Sequence, residues 1–288
     1  MRVPAQVRPF LDEALLRKID FLLKESISPN PLIRFSGEVT DQVELKERAN
    51  QVLWEVYRQV GFAKFMETLE YMKTYSGRAF QELVTVKGEV AEGILEIILT
   101  SFIDEFQLDW KFYKGLIIPH EKGGSNTTEL DIVLITPIIL TVFEIKSYNG
   151  TKTLSNECHL VATSGSNTRE IDVWEQNRKH IVAFWNNFGH LASGDSGVLK
   201  SVLFSFSSGT LEDKREVIWR QRMPVFDEKN ISGYLEALRL LEGDTQWKVG
   251  ELCEVLEIAS KSGNLEDHIM GIRNRHSINS DGLGSDGF

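Results

Sequence analysis

The sequence has little that could hold it together covalently. Cys158 and Cys253 are its only cysteines. Two cysteines cannot build a disulfide framework or a zinc cluster, so a reducing, intracellular setting, taken as cytoplasmic, is expected. Long apolar runs are missing too. The longest, residues 132–143, is interrupted by Pro137 and two threonines. It falls far short of the about 20 residues that a membrane helix needs. The opening MRVPAQVRPF lacks the apolar centre of a secretion signal. No internal repeat is visible. There is no surplus of basic side chains: the net charge is −10, which argues against a general nucleic-acid coat protein. The acidic excess falls beyond residue 80. Such a centre suits a site that gathers divalent cations, and it equally suits an ordinary soluble surface. Gly123-Gly124-Ser125 lacks the lysine and helix of a phosphate-binding loop. His120 has no His or Cys partner at metal spacing. Cys158 has no basic cluster beside it to activate a thiol.

What the sequence does contain is enough apolar material for a sizeable core, with 42% hydrophobic residues. Residues 10–25 carry helical spacing at Phe10, Leu15, Ile19, Leu22 and Leu23. Asp41 followed by Glu44 resembles a capping box, and Val43, Ala49, Val52, Leu53, Val56 and Val60 continue a helix to Gly61. A further helical piece runs from Phe62 to about Met72. From Val86 the pattern changes. VKGEVAEGILEIILTSFIDEF predicts a long helix and WKFYKGLIIP a strand. Residues 130–136 and 139–146 predict a hairpin of two β-branched runs around Pro137. Residues 157–163 suggest another strand, REIDVWEQNRKHIVAFWNNF an amphipathic helix, VLKSVLFSF a strand, and EVIWRQRMPVF one strand more. ISGYLEALRLL and TQWKVGELCEVLEIA predict helices, and the tail SDGLGSDGF reads as small, polar and mobile. The expected organisation is a helical extension over 1–80, an α/β core over 81–243 with a mixed central sheet flanked by helices, and a C-terminal helix and tail over 244–288.

Within the hairpin TELDIVLITPIILTVFEIKS, the charged residues stand out. Charge in an apolar setting is costly unless it is paired or binds a metal. Glu144 and Lys146 share one face of their strand, about 6.6 Å apart as two steps of about 3.3 Å. If the hairpin pairs in register, Asp131 approaches the same end as Glu144. Two carboxylates and one ammonium then converge at a sheet edge. A Mg²⁺ ion is usually held by one or two carboxylates, waters and substrate phosphate oxygens. A lysine beside it stabilises charge or orients an attacking water. The plainer readings are a solvent-facing Glu144–Lys146 pair on an edge strand, and Asp131 as a turn residue closing the TTELD loop.

Asp131 with Glu144-Ile145-Lys146 resembles the signature of the PD-(D/E)XK nucleases. The closer resemblance is to the nuclease-related NERD domain of that superfamily. It runs from Lys87-Gly88-Glu89 through Glu129-Leu130-Asp131, Glu144-Ile145-Lys146 and Gln176-Asn177-Arg178 to the strand at 198–206 and PVFDEKNISGYLEAL. The resemblance implies a restriction-endonuclease-like core and a Mg²⁺- or Mn²⁺-dependent phosphodiesterase acting on nucleic acid, DNA before RNA. It implies Asp131, Glu144 and the Ile145 carbonyl as metal ligands and Lys146 as the catalytic lysine. Glu89 would assist from the first helix and Gln176 from the helix after the core strands. Leu130 stands where the signature name has proline, and SYNGTKTLSNECHLVATSGSN has a weak strand pattern. Glu89 also has a simple explanation as an acid in a first helical turn. Glu129 reads as a loop acid, and Arg178, Lys179 and His180 as a solvated face or as phosphate-backbone contacts. The alternative function is a binding or assembly module, with the helical extensions docking a partner or a second copy and the nuclease site weak or conditional. A restriction-type enzyme reading DNA through residues 1–80 finds no basic recognition helix to support it.

Overall fold

A computed structural model describes residues 39–75, 84–121, 126–148, 150–193, 198–206 and 209–262. The helix expected over 10–25, the glycines of the 121–128 loop and the polar tail lie outside these residues.

Helix α1 spans Val39–Tyr75 and is broken at Gly61, whose φ of 76° and ψ of 169° belong to a region essentially open only to glycine. The two helical pieces expected on either side of Gly61 are therefore joined by a kink. The helix begins at Val39, so Asp41 and Glu44 lie inside its first turns and not at the boundary suggested by their spacing. Helix α2, Val84–Phe106, is mostly apolar, with Glu89, Glu92 and Glu96 along one side. Such a helix must be covered on both sides. On one side α1 lays Val52, Leu53, Val56, Phe65 and Leu69 into the same core as Val90, Ile94, Ile97 and Ile98 of α2. Gly93 permits that approach: a Cβ there would stand 2.8 Å from Leu53 Cδ1.

The other side of α2 rests on a five-stranded sheet. Strands β1 (Lys111–Pro119), β2 (Thr127–Ile135) and β3 (Ile139–Lys146) form an antiparallel meander. Strand β7 (Val198–Ser205) lies parallel to β3, from Ile139 against Val198 to Lys146 against Ser205. The two-residue β9 (Val225–Phe226) completes the order β1-β2-β3-β7-β9. One face of the sheet presents Ile132, Leu134, Phe143 and Ile145 to α2. The other presents Val133, Ile135, Leu140 and Val142 to helices α3 (Val173–Phe188) and α6 (Val249–Ser262). Burial on both faces explains why β2 and β3 read as apolar runs without alternation. The expected α/β architecture, a mixed central sheet between helices, is the one observed.

A second, smaller sheet follows β3. It holds β4 (Thr151–Leu154), β5 (His159–Ser164), β6 (Asn167–Asp172) and β8 (Leu211–Asp213) in the order β6-β5-β4-β8. Only β5 was expected from the sequence. Residues 169–172, read as the start of a helix, belong to β6, and α3 begins at Val173 with Asp172 as its cap, accepting from Glu175 N at 2.7 Å. The stretch 216–226, read as a strand, is the short helix α4 (Val217–Arg222) followed by β9. Helix α5 is Ile231–Arg239.

Arg215, only 2% exposed, ties this region together. Its Nε and Nη2 each lie 2.8 Å from the two Asp213 oxygens, while Nη1 reaches Met223 O at 2.8 Å and Cys158 Sγ at 2.9 Å. Among the described residues no helix is long and apolar enough to cross a membrane.

Candidate active site

Strands β2 and β3 pair from Ile135 and Leu140 to Ile132 and Phe143. One step further the same register sets Asp131 against Glu144, and there the main-chain pairing stops. Asp131 lies within β2, so it is not a turn residue. Its Oδ2 accepts a hydrogen bond from Ile145 N at 2.6 Å, taking the place of a main-chain acceptor. Beyond this point β3 stays bound to β7: Lys146 O accepts from Phe206 N at 3.0 Å. Main-chain groups of successive strand residues point to alternate sides. Lys146 therefore directs its own toward β7, and Ile145 directs its N–H and C=O toward the fork between β2 and β3.

Glu144 points to the α3 face of the sheet and is fully buried, with 0% exposure. Its Oε1 accepts from the Lys146 ammonium, itself 12% exposed. Its Oε2 lies 3.0 Å from His180 Nδ1 on α3. The three charges gather at the C-terminal end of the third of five strands, and not at a sheet edge as expected. The reason is β7, a strand from much later in the chain that covers the outer side of β3. Position and burial rule out a solvent-facing pair on an edge strand.

Residues 87–205 match the family of nuclease-related domains. That segment is similar to the NERD domain. A search of curated proteins returns no match to the chain. The match opens in α2 and closes at Ser205, the last residue of β7, so the NERD segment holds the whole fork and both strands that flank β3.

Within the NERD-like segment the charges oppose one another. Burial, and then the negative charge of Glu144, push the Asp131 carboxyl up to about 7, against Lys146 and the Ile145 N–H. Burial also works against ionised Glu144, but Lys146 and His180 outweigh it and hold this carboxyl below its usual range. Burial would lower the Lys146 pKa, yet Glu144 and Asp131 raise it. At neutral pH Glu144 and Lys146 are thus an ion pair, and Asp131 is the group poised to change its charge.

The donors can be compared with what a cation requires. Among the described residues no group of three or more His, Cys, Asp or Glu is arranged to hold a metal. Asp131, Glu144 and the Ile145 carbonyl are instead two carboxylates and one neutral oxygen. This set fits a hard cation that keeps several of its waters, as Mg²⁺ does. Glu144 Oε2, buried without a completed hydrogen bond, is consistent with a further partner.

Asp131 also supplies a pH test. A carboxyl whose pKa is raised by folding holds its proton more tightly in the folded chain. Its contribution to stability is therefore present at low pH and is lost as pH rises from the ordinary aspartate range to about 7. In EDTA, the melting temperature of the wild type is expected to fall across that window relative to Asp131→Asn. Parallel curves for the two proteins would refute the raised pKa.

Glu89 and Gln176 are carried on two different helices. Glu89 is buried in α2, on the opposite face of the sheet from Glu144, and accepts from the Lys114 ammonium of β1. Lys114 also lies 4.0 Å from Glu92 and 3.8 Å from Glu96. The polar side of α2 is thus covered by a lysine and is not open to solvent. Gln176 is half-buried on α3 and takes no part in the contacts among Asp131, Glu144 and Lys146. Arg178 pairs with Glu175 at 2.7 Å on the exposed side, as a solvated face would.

The residues of α3 that turn inward are Asn177 and His180, in line with Val173, Phe184 and Phe188. An apolar stripe drawn in the sequence through Val173, Trp174, Ile181, Phe184 and Trp185 passes beside both polar residues. Trp185 is 40% exposed. Placing Asn177 and His180 at i, i+4 and i+7 from Val173 would have revealed them, because Phe184 and Phe188 continue that row.

Proposed function

We propose that the protein is a divalent-metal-dependent nuclease that hydrolyses phosphodiester bonds, with DNA as the preferred substrate. The observation that carries this reading is the fork itself: Asp131 and Glu144-Ile145-Lys146 converge at the end of a central strand inside the NERD-like segment. A bound Mg²⁺ or Mn²⁺ polarises the scissile phosphate and lowers the pKa of a water. Asp131, Glu144 and the Ile145 carbonyl would hold the cation. The Ile145 N–H fixes the Asp131 carboxylate in the orientation that faces the fork. Lys146 keeps its proton, because Glu144 and Asp131 favour its charged form. It therefore acts as a donor to a phosphate oxygen and not as a base. Its flexible four-carbon stem lets the ammonium leave Glu144 for the substrate.

The test is a cleavage assay on supercoiled, linear and single-stranded DNA and on RNA, with Mg²⁺, Mn²⁺ or EDTA, comparing wild type with Glu144→Gln. Metal-dependent cleavage of DNA that disappears in EDTA and in the variant is expected. Undiminished cleavage by folded Glu144→Gln, or none by the wild type on any substrate, would refute the proposal.

A further inference from the structure

His180 is 6% exposed on the inner face of α3, and its Nδ1 stands 3.0 Å from Glu144 Oε2. Neither atom completes a hydrogen bond in this arrangement. Nearly one turn earlier on the same face, Asn177 is wholly buried with both side-chain polar atoms unpartnered. The rest of that face is Val173, Ala183, Phe184 and Phe188. An apolar stripe interrupted by two polar side chains, one of them against a buried carboxylate, is not what packing alone selects. Buried polar atoms without partners call for a specific reason.

We infer that His180 is a positioning residue, holding the Glu144 carboxylate from the helix side so that it meets a divalent cation in one orientation. The inference rests on the reading of the fork as a cation site. A glutamate side chain has three torsions, so burial alone leaves its oxygens several ways to turn. Lys146 cannot fix them by itself, because its ammonium is needed at the phosphate. His180 can, because its ring is short, stiff and carried on a helix packed against the sheet. A carboxylate offers about four lone-pair sites, so Glu144 can accept from His180, accept from Lys146 and still ligate a metal. Two tasks are thus divided between two side chains: the lysine is free to move and the histidine stays. Groups that hold a metal ligand in place commonly change metal affinity by 10–100-fold when removed.

The measurement is direct Mn²⁺ binding by calorimetry, without nucleic acid, on wild type, His180→Ala and His180→Asn, with the melting temperature of each metal-free protein alongside. His180→Ala is expected to bind Mn²⁺ about 10–100-fold more weakly. His180→Asn keeps an N–H two bonds from Cβ, where Nδ1 stands, and is expected to recover most of the affinity, and it serves as the test should the alanine variant fail to fold. A purely structural role would lower the melting temperatures of both and leave the Mn²⁺ affinity unchanged, which would overturn the inference. Equal affinity for wild type and both variants would overturn it alone. No Mn²⁺ binding by the wild type would remove the cation site and the inference together.

Discussion

Lys146→Ala is expected to slow cleavage by about 10²–10³-fold, the usual effect of losing one preorganised donor. A second effect follows from burial. Lys146 is 12% exposed and pairs with a fully buried Glu144. Removing one partner of such a pair costs about 3–5 kcal/mol, because the other charge is left uncompensated. Here two carboxylates are left, since Asp131 shares the fork. A divalent cation supplies the missing positive charge, so Mg²⁺ should raise the melting temperature of Lys146→Ala more than that of the wild type. Thermal scans in EDTA and in Mg²⁺, beside initial cleavage rates, measure both effects. A variant that keeps its full rate would refute the assigned role. One that loses its rate without any greater stabilisation by Mg²⁺ would place the metal away from these carboxylates.

Arg215→Met is expected to weaken the fold by about 3–5 kcal/mol, or roughly 10 °C in melting temperature for a domain of this size. The guanidinium spans both oxygens of Asp213, the Met223 carbonyl and the Cys158 thiol. It thereby joins β8 to the turn before β5 and to the chain that leads into β9. Without it Asp213, partly exposed, keeps only the exposed Arg220, 3.8 Å away, as a cationic neighbour. Arg215→Lys should recover little, because one ammonium cannot reproduce the fork. Urea denaturation of the three proteins distinguishes these outcomes. If the lysine variant matched the wild type, charge and not the fork would be what holds the region.

The parts of the molecule legible in the sequence are those with a local signal. The β2–β3 hairpin could be read because two apolar runs flank Pro137, and its register brings Asp131 to Glu144 by counting alone. Gly61 announced the kink in α1 because few other residues could occupy that conformation. What could not be read depends on contacts far along the chain. Nothing near Glu144 shows that β7 will cover its strand. Nothing near Glu89 shows that Lys114 will reach it. Strand β6 lies at the edge of its sheet and is mostly exposed on both faces, so it carries no alternation. Helix α4 is a single short stretch of six residues, too brief to display a helical period. His180 was hidden by its neighbours, because Arg178 and Lys179 made the segment look solvated.

Trp247 gives the fold an order in time. It is 1% exposed and packs edge-on against Phe184 and Trp185, with Leu252 and Leu256 of α6 closing the same face. All four groups of the fork and its histidine are made before residue 205, and this cover is made after it. During synthesis the ribosome therefore releases the working residues first and their shelter last. For that interval the apolar face of α3 lacks the cover of Trp247, Leu252 and Leu256, and such surface is what a nascent chain offers to chaperones.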